Sequence, residues 1–511
     1  MSPLEQLQKM EHRIGDLEKE NKRLQETVQF LTQKLYGKSS EKTASLPVGV
    51  EQLSLFDEPE TAASRTAPEL TIEQIQSYQR KRQVGERAEL LQDLPHEKQL
   101  FQVQDRCCDV CHSELVLVGE EFVRTEVEFI PARVQAIDIY RETLECRTCR
   151  KADKPQMKKA TTPVPVIQHS LASASSVAWV MYQKFVNSMP LYRQEKEWKS
   201  IGLDLSRATM ANWMIATTRD WLKPLVNRLH ELLVQERYLH ADETPLQVMN
   251  EKGRKNTTSS YMWIYSSAQH STHPIRIFEY QPGRGARYPQ AFLKGFKGYL
   301  HSDAYSGYAN LAGTISCLCW AHLRRKFVEA LPPEAKNLEG TLATEGVAYC
   351  NKLFELEAQL ASQPPEERKE QRLLQEKPVL DGFWSWVEIA KGKVLPKSKL
   401  GEALKYARNH RQELMNYLQD GNCVISNNLA ENSIRPFTVG RKNWLFSGSP
   451  RGAAASAGIY SIVETAKANG LNPYKYLVYL LQQLPAAAFR QQPELLDEHL
   501  PWSPAVRQHC T

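Results

Sequence analysis

The sequence predicts a multidomain α/β protein, and three observations support this. At 511 residues the chain is too long for one hydrophobic core. From Glu236 onward, runs rich in β-branched and aromatic residues close on turn residues and alternate with a helix-like segment. Ahead of that stretch, a heptad-patterned segment and two close cysteine pairs mark regions of different architecture.

Residues 1–36 carry the heptad. One seam position holds Leu7, Ile14, Asn21, Val28 and Leu35, and the other holds Met10, Leu17, Leu24 and Leu31. Mixed branching at one seam with Leu at the other favours two strands, and a buried Asn fixes register, so a dimerising coiled coil is expected. Arg13 can then meet Glu18 of a partner chain. A single amphipathic helix packed on its own protein is the alternative. Residues 37–99, rich in Ser, Glu, Pro and Thr, read as a flexible linker. Residues 100–155 hold Cys108-x-x-Cys111 and Cys146-x-x-Cys149, four thiolates of the kind that close around one structural Zn²⁺. The alternating segment between them predicts a hairpin that brings the pairs together, although the gap of 34 residues is long for such a site. Cys107 is an alternative to Cys108, and four ordinary buried thiols are the bland alternative.

Residues 165–235 read as helical. Gly202 can end one helix and Ser206 can cap the next, a helix-turn-helix outline that would offer Arg207, Thr209 and Asn212 to a major groove. Many helix pairs without a DNA role share that outline. Over 236–332 the order is three meandering strands, a helix, a strand ending at Asp303, a further short strand and the basic helix AHLRRKFVEAL. This is the order of a ribonuclease-H-like catalytic core, in which the first and fourth strands are neighbours. Residues 333–420 then read as a helical insertion. Residues 421–486 complete the core with a polar helix, a basic Gly-rich loop and another helix, and 487–511 read as a loose tail.

Asp242, Asp303 and Glu431 dominate the chemistry. The two aspartates close strands, and Glu431 lies on a helix with 127 residues between it and Asp303. If they converge, three carboxylates can hold two Mg²⁺, with Mn²⁺ as a substitute. Such a pair clamps the attacking and leaving oxygens of a phosphodiester during in-line attack by water or a 3′-hydroxyl. Strand periodicity puts His240 on the face of Asp242 and His301 on that of Asp303, as partners of the carboxylates or core residues that hold them, with direct ligation as the alternative. Glu243 rivals Asp242, and parity is expected to turn only one of them inward. Arg435 stands four residues after Glu431 and can hold its carboxylate or contact a phosphate.

The net charge of +6 decides little, but its distribution is informative. Residues 141–160 carry seven Lys/Arg against three acids, and Arg435, Arg441, Lys442 and Arg451 share a stretch without acids. Together with Arg324 and Arg325 of the basic helix, and His322, which faces either the site or DNA, these are candidate DNA contacts; a solvated face is the bland reading of each run. The polar N-terminus and the lack of any long apolar run read against a signal peptide or a membrane span. Ten cysteines in so long a chain fit a reducing cytoplasm, with the protein on nucleoid DNA.

LYGKSSEK, QLSLFDE, the paired cysteines, HADETP, SDAYSGY, CWAHLRRKF and NNLAENSIRPFTVGRKNWLFSGSPRGA occur in that order. Nearly end to end, the chain resembles DDE transposases of the IS sixty-six family (TnpC type). The resemblance implies cleavage at insertion-element ends and transfer of the 3′-hydroxyl into target DNA. It implies that Asp242, Asp303 and Glu431 form the metal-binding triad, that double-stranded DNA is the partner, and that element-encoded accessory proteins take part. Two alternatives remain open: a nuclease of the same fold that does not join, and a non-catalytic DNA-binding regulator.

Overall fold

The computed structural model describes residues 134–146, 153, 157–331 and 341–511, all within one of the two compact units into which the chain divides. The coiled coil, the linker and three of the four zinc cysteines lie outside the described residues, as does most of the hairpin expected between the cysteine pairs. Around the second pair, β1 (Thr143–Glu145) and β2 (Met157–Lys159) are antiparallel.

Four helices follow: α1 (Ala174–Phe185), α2 (Leu191–Ser200), α3 (Arg207–Thr217) and α4 (Lys223–Leu233). The α2–α3 turn forms as its residues dictate. Gly202, at φ +100°, takes the left-handed conformation beyond α2, and the Ser206 hydroxyl caps α3 by accepting from the Thr209 N–H.

The central sheet contains β3 (Tyr238–Val248), β4 (Ser259–Ser267), β5 (Arg276–Gln281), β6 (Gly298–Ser302) and β7 (Thr314–Leu318), in spatial order β5-β4-β3-β6-β7. β4 is antiparallel to both of its neighbours, β3 and β5, whereas β6 and β7 run parallel to β3. Gly298 starts β6 where the chain passes so close to β3 that a Cβ would sit 2.2 Å from the Arg237 carbonyl oxygen. That approach lets the Tyr299 N–H donate to the Arg237 carbonyl and sets the register pairing His240 with His301.

Beyond β7 lie α5 (Trp320–Glu329), α6 (Leu342–Leu360), α7 (Lys377–Ala390) and α8 (Lys399–Asn409). The last three enclose a second apolar core with Trp320, Leu323 and Phe327 of α5. The buried Arg372 guanidinium ties this region together, donating to both Glu357 oxygens and to the Tyr417, Asp420 and Cys423 carbonyls. The chain returns through α9 (Asn428–Trp444), β8 (Phe446–Ser447), α10 (Pro450–Ala468) and α11 (Pro473–Gln483). Leu445, at φ +62°, ends α9 and turns the chain into β8, which pairs with Gln247 and Val248 at the end of β3. α10 covers edge strand β5: its Ser461 and Thr465 hydroxyls accept from the Phe278 and Arg276 N–H groups, satisfying donors that an open edge would expose.

The loose tail expected over 487–511 is not what forms. Residues Pro493–His499 and Pro504–Cys510 are helical, and Leu496, Leu500, Val506 and Cys510 are buried in the main core. Each of these side chains is apolar enough to repay ordering, although their spacing fits no single period.

Candidate active site

β3 and β6 bring the two aspartates together. His240 and His301 are register partners with rings stacked at a centroid distance of 4.5 Å, and Asp242 and Asp303 each follow two residues later. Glu431 comes from the first turn of α9, whose start is fixed to β3 by Asn427. The buried Asn427 amide donates to the Ala241 carbonyl at 2.9 Å, and its oxygen lies 2.9 Å from Nδ1 of His240. Its backbone N–H donates to Sγ of Cys319, just ahead of α5. The acids are close enough to act on one another. Burial first, then the charges of Glu243, Asp303 and Glu431, push the Asp242 carboxyl up to about 8.

Parity does not keep Glu243 away from the site. Its side chain is only 1% exposed, yet both oxygens are engaged: Arg284 donates to one at 2.7 Å and Tyr308 to the other at 2.5 Å. Arg284 also lies 3.9 Å from Asp303. Glu243 is thus neutralised by partners, while Asp242 accepts only the Glu243 N–H among described contacts. Both histidines serve the scaffold. His301 accepts the Val424 N–H at Nε2, with Nδ1 3.3 Å from the Leu239 carbonyl, and His240 is spent on Asn427. A group of His301, Cys317 and Cys423 lies buried near them.

The side chains found beside Glu431 do not include the expected Arg435. Nδ1 of His322 lies 3.8 Å from one carboxylate oxygen and Arg325 lies 3.7 Å from the other, both contributed by α5. Cys319 joins this group, but burial pushes its thiol up to about 11 and the Asn427 N–H occupies its sulfur. The remaining candidate DNA contacts divide. Arg207, Asn212, Lys442 and Arg451 are exposed, and Arg435 is half-buried. Thr209 spends its hydroxyl on Ser206, Arg324 donates to Asn351, and Arg441 clamps α9 to Thr244 and Pro245 of β3. Of the zinc cysteines only Cys146 is described, at the end of β1.

The donor set fits a divalent cation on this structure's own evidence. Asp242 feels the charges of Asp303 and Glu431 and has no cationic partner among its described contacts, and Oε1 of Glu431 and Nδ1 of His322 are buried without hydrogen-bond partners. Sequence reasoning missed Arg284, Tyr308 and the anchoring role of Asn427. The crowding of Asn427 and Asn428 next to Glu431 was the only local signal for any of them.

Among the described residues no helix is long and apolar enough to cross a membrane. Residues 169–455 match the family model described as Transposase IS66 family, and 461–502 match the IS66 C-terminal element. Residues 105–150, which include all four zinc-candidate cysteines, match the zinc-finger binding domain of transposase IS66. Residues 23–98 match the Transposase C of IS166 homeodomain. The chain is also similar to three uncharacterized proteins of Sinorhizobium fredii (strain NBRC 101917 / NGR234). It is 28% identical to y4hP over 502 residues, covering 93% of this chain and 87% of that one. It is 30% identical to y4qI over 412 residues (77% and 73%), and 26% identical to y4jD over 496 residues (94% of each).

Proposed function

From the premise that the chain belongs to the IS66 transposase family, we propose that it cleaves DNA at insertion-element ends and joins the freed 3′-hydroxyl to target DNA. The family implies a divalent metal, and the zinc-finger segment suggests zinc. One observation carries the finer reading: Asp242 and Asp303 follow register-paired histidines on β3 and β6, and Asn427 fastens the helix of Glu431 beside them. The sheet order, with three antiparallel strands followed by two parallel ones beside the first, supports a ribonuclease-H-like core. It does so because neighbouring first and fourth strands place the aspartates side by side.

Asp242, Asp303 and Glu431 would hold the cations, and Cys108, Cys111, Cys146 and Cys149 the structural zinc. When bound, a pair of divalent cations supplies the charge that activates a hydroxyl and stabilises a leaving oxygen on phosphorus. The protein's own part is positioning. Arg284 and Tyr308 engage both oxygens of Glu243, which leaves Asp242, Asp303 and Glu431 as the carboxylates that would meet a cation. Arg325 places positive charge beside Glu431 where a phosphate would lie. The exposed Arg207 and Asn212 of α3 supply duplex contacts, and the N-terminal heptad supplies a homo-oligomer.

Incubating labelled element ends with the protein and Mg²⁺ should give strand-transfer products. Asp242→Asn and Glu431→Gln should lower both cleavage and joining by about 10³-fold or more. Cleaved ends without joined product in the wild type would replace this proposal with a nuclease. Arg207→Ala should weaken binding to element ends more than to random duplex, by about 1–3 kcal/mol. An equal loss on both duplexes removes sequence reading from α3.

A further inference from the structure

Two buried polar atoms beside the acids face each other unsatisfied. Nδ1 of His322 and Oε1 of Glu431 have no hydrogen-bond partner and lie 3.8 Å apart, too far to bond directly. Their helices begin side by side because Cys319, preceding α5, accepts the N–H of Asn427, preceding α9. That contact also occupies the one sulfur in the group, leaving an imidazole nitrogen and a carboxylate oxygen open to each other. The other Glu431 oxygen faces Arg325, so only Oε1 is left for a further cation. A cation bonded to both atoms at about 2.1 Å spans up to about 4.2 Å, which includes the observed separation.

We propose that His322 is a ligand, through Nδ1, of the divalent cation held by Glu431, and that this mixed nitrogen–oxygen donor set makes the position prefer Mn²⁺ to Mg²⁺. Mg²⁺ favours all-oxygen surroundings and releases its water reluctantly, whereas Mn²⁺ accepts an imidazole more readily. His322 is thereby moved from the candidate DNA contacts to the metal site. The proposal rests on the reading of Asp242, Asp303 and Glu431 as cation ligands.

The test is pulsed electron paramagnetic resonance on the full-length protein loaded with Mn²⁺ alone, together with Mn²⁺ and Mg²⁺ titrations. The wild type should show the coupling of a directly bound ¹⁴N nucleus, replaced by ¹⁵N coupling when histidine is isotopically labelled. His322→Asn should abolish that coupling and weaken Mn²⁺ binding about tenfold or more, with Mg²⁺ affinity changed less than about twofold. Mn²⁺ that binds, is weakened by Glu431→Gln and shows no nitrogen coupling overturns the role of His322 while leaving the carboxylate site standing. Coupling that survives in His322→Asn does the same. Mn²⁺ binding that neither Asp242→Asn nor Glu431→Gln alters removes the carboxylate site and this inference with it. Bound Mn²⁺ without nitrogen coupling in the wild type overturns the role of His322 even if a variant fails to fold.

Discussion

Two histidine-bearing regions flank Asp242 and differ in one respect. Beneath it, His240, His301 and Asn427 are buried with their hydrogen bonds made to one another, to backbone groups of β3 and to Val424. Beside it, His322 and Glu431 are half-buried, each with one enclosed polar atom that has no hydrogen-bond partner. Burial alone therefore says little about function. A polar cluster whose bonds are complete holds the sheet in register, and one whose bonds are incomplete is shaped for something it has yet to receive.

Three perturbations test this contrast, and the largest should come from Asp242 at the boundary. Its carboxyl, pushed up to about 8 chiefly by burial, keeps a proton in the folded metal-free protein where the unfolded chain, with an ordinary value of 3.8, has lost it. The folded state then binds more protons across that range. Stability should fall as pH rises through it, by at most about 1.4 kcal/mol per pH unit. Asp242→Asn should flatten that slope in urea unfolding with a chelator present, compared at about pH 5.5 and about pH 7.5. An unchanged slope would mean that the Asp242 carboxyl is not raised in the folded protein. Next, Asn427→Ala should cost about 2–3 kcal/mol, because it strands His240 and the Ala241 carbonyl in the interior. A loss below about 0.5 kcal/mol would erase the distinction between the two regions. The smallest effect belongs to His322→Ala, expected within about 0.5 kcal/mol of wild type without metal, since no recorded hydrogen bond of that side chain is lost.

What could be read from the sequence was local. Turn residues after Asp242 and Asp303, the two-residue period linking each to a histidine, and the Gly202 and Ser206 signals all describe neighbours along the chain. What could not be read was the choice of long-range partners. Arg284 meets Glu243 across 41 residues, Arg441 meets Thr244 across 197, and Asn427 meets His240 across 187. No periodicity encodes such pairings. The expectation that parity admits one acid failed for this reason: Arg284 and Tyr308 make a second buried carboxylate tolerable. Arg324 and Arg441 looked like surface cations in the sequence, yet Arg324 braces α6 through Asn351 and Arg441 braces β3.

α9 is attached to β3 at three levels: by Asn427 at its start, by Arg441 near its end, and by β8 just beyond. The helix that carries Glu431 is therefore fastened to β3 on both sides of that residue. None of these three attachments comes from α6, α7 or α8, so those helices can change their outer surfaces without disturbing where Glu431 stands relative to β3.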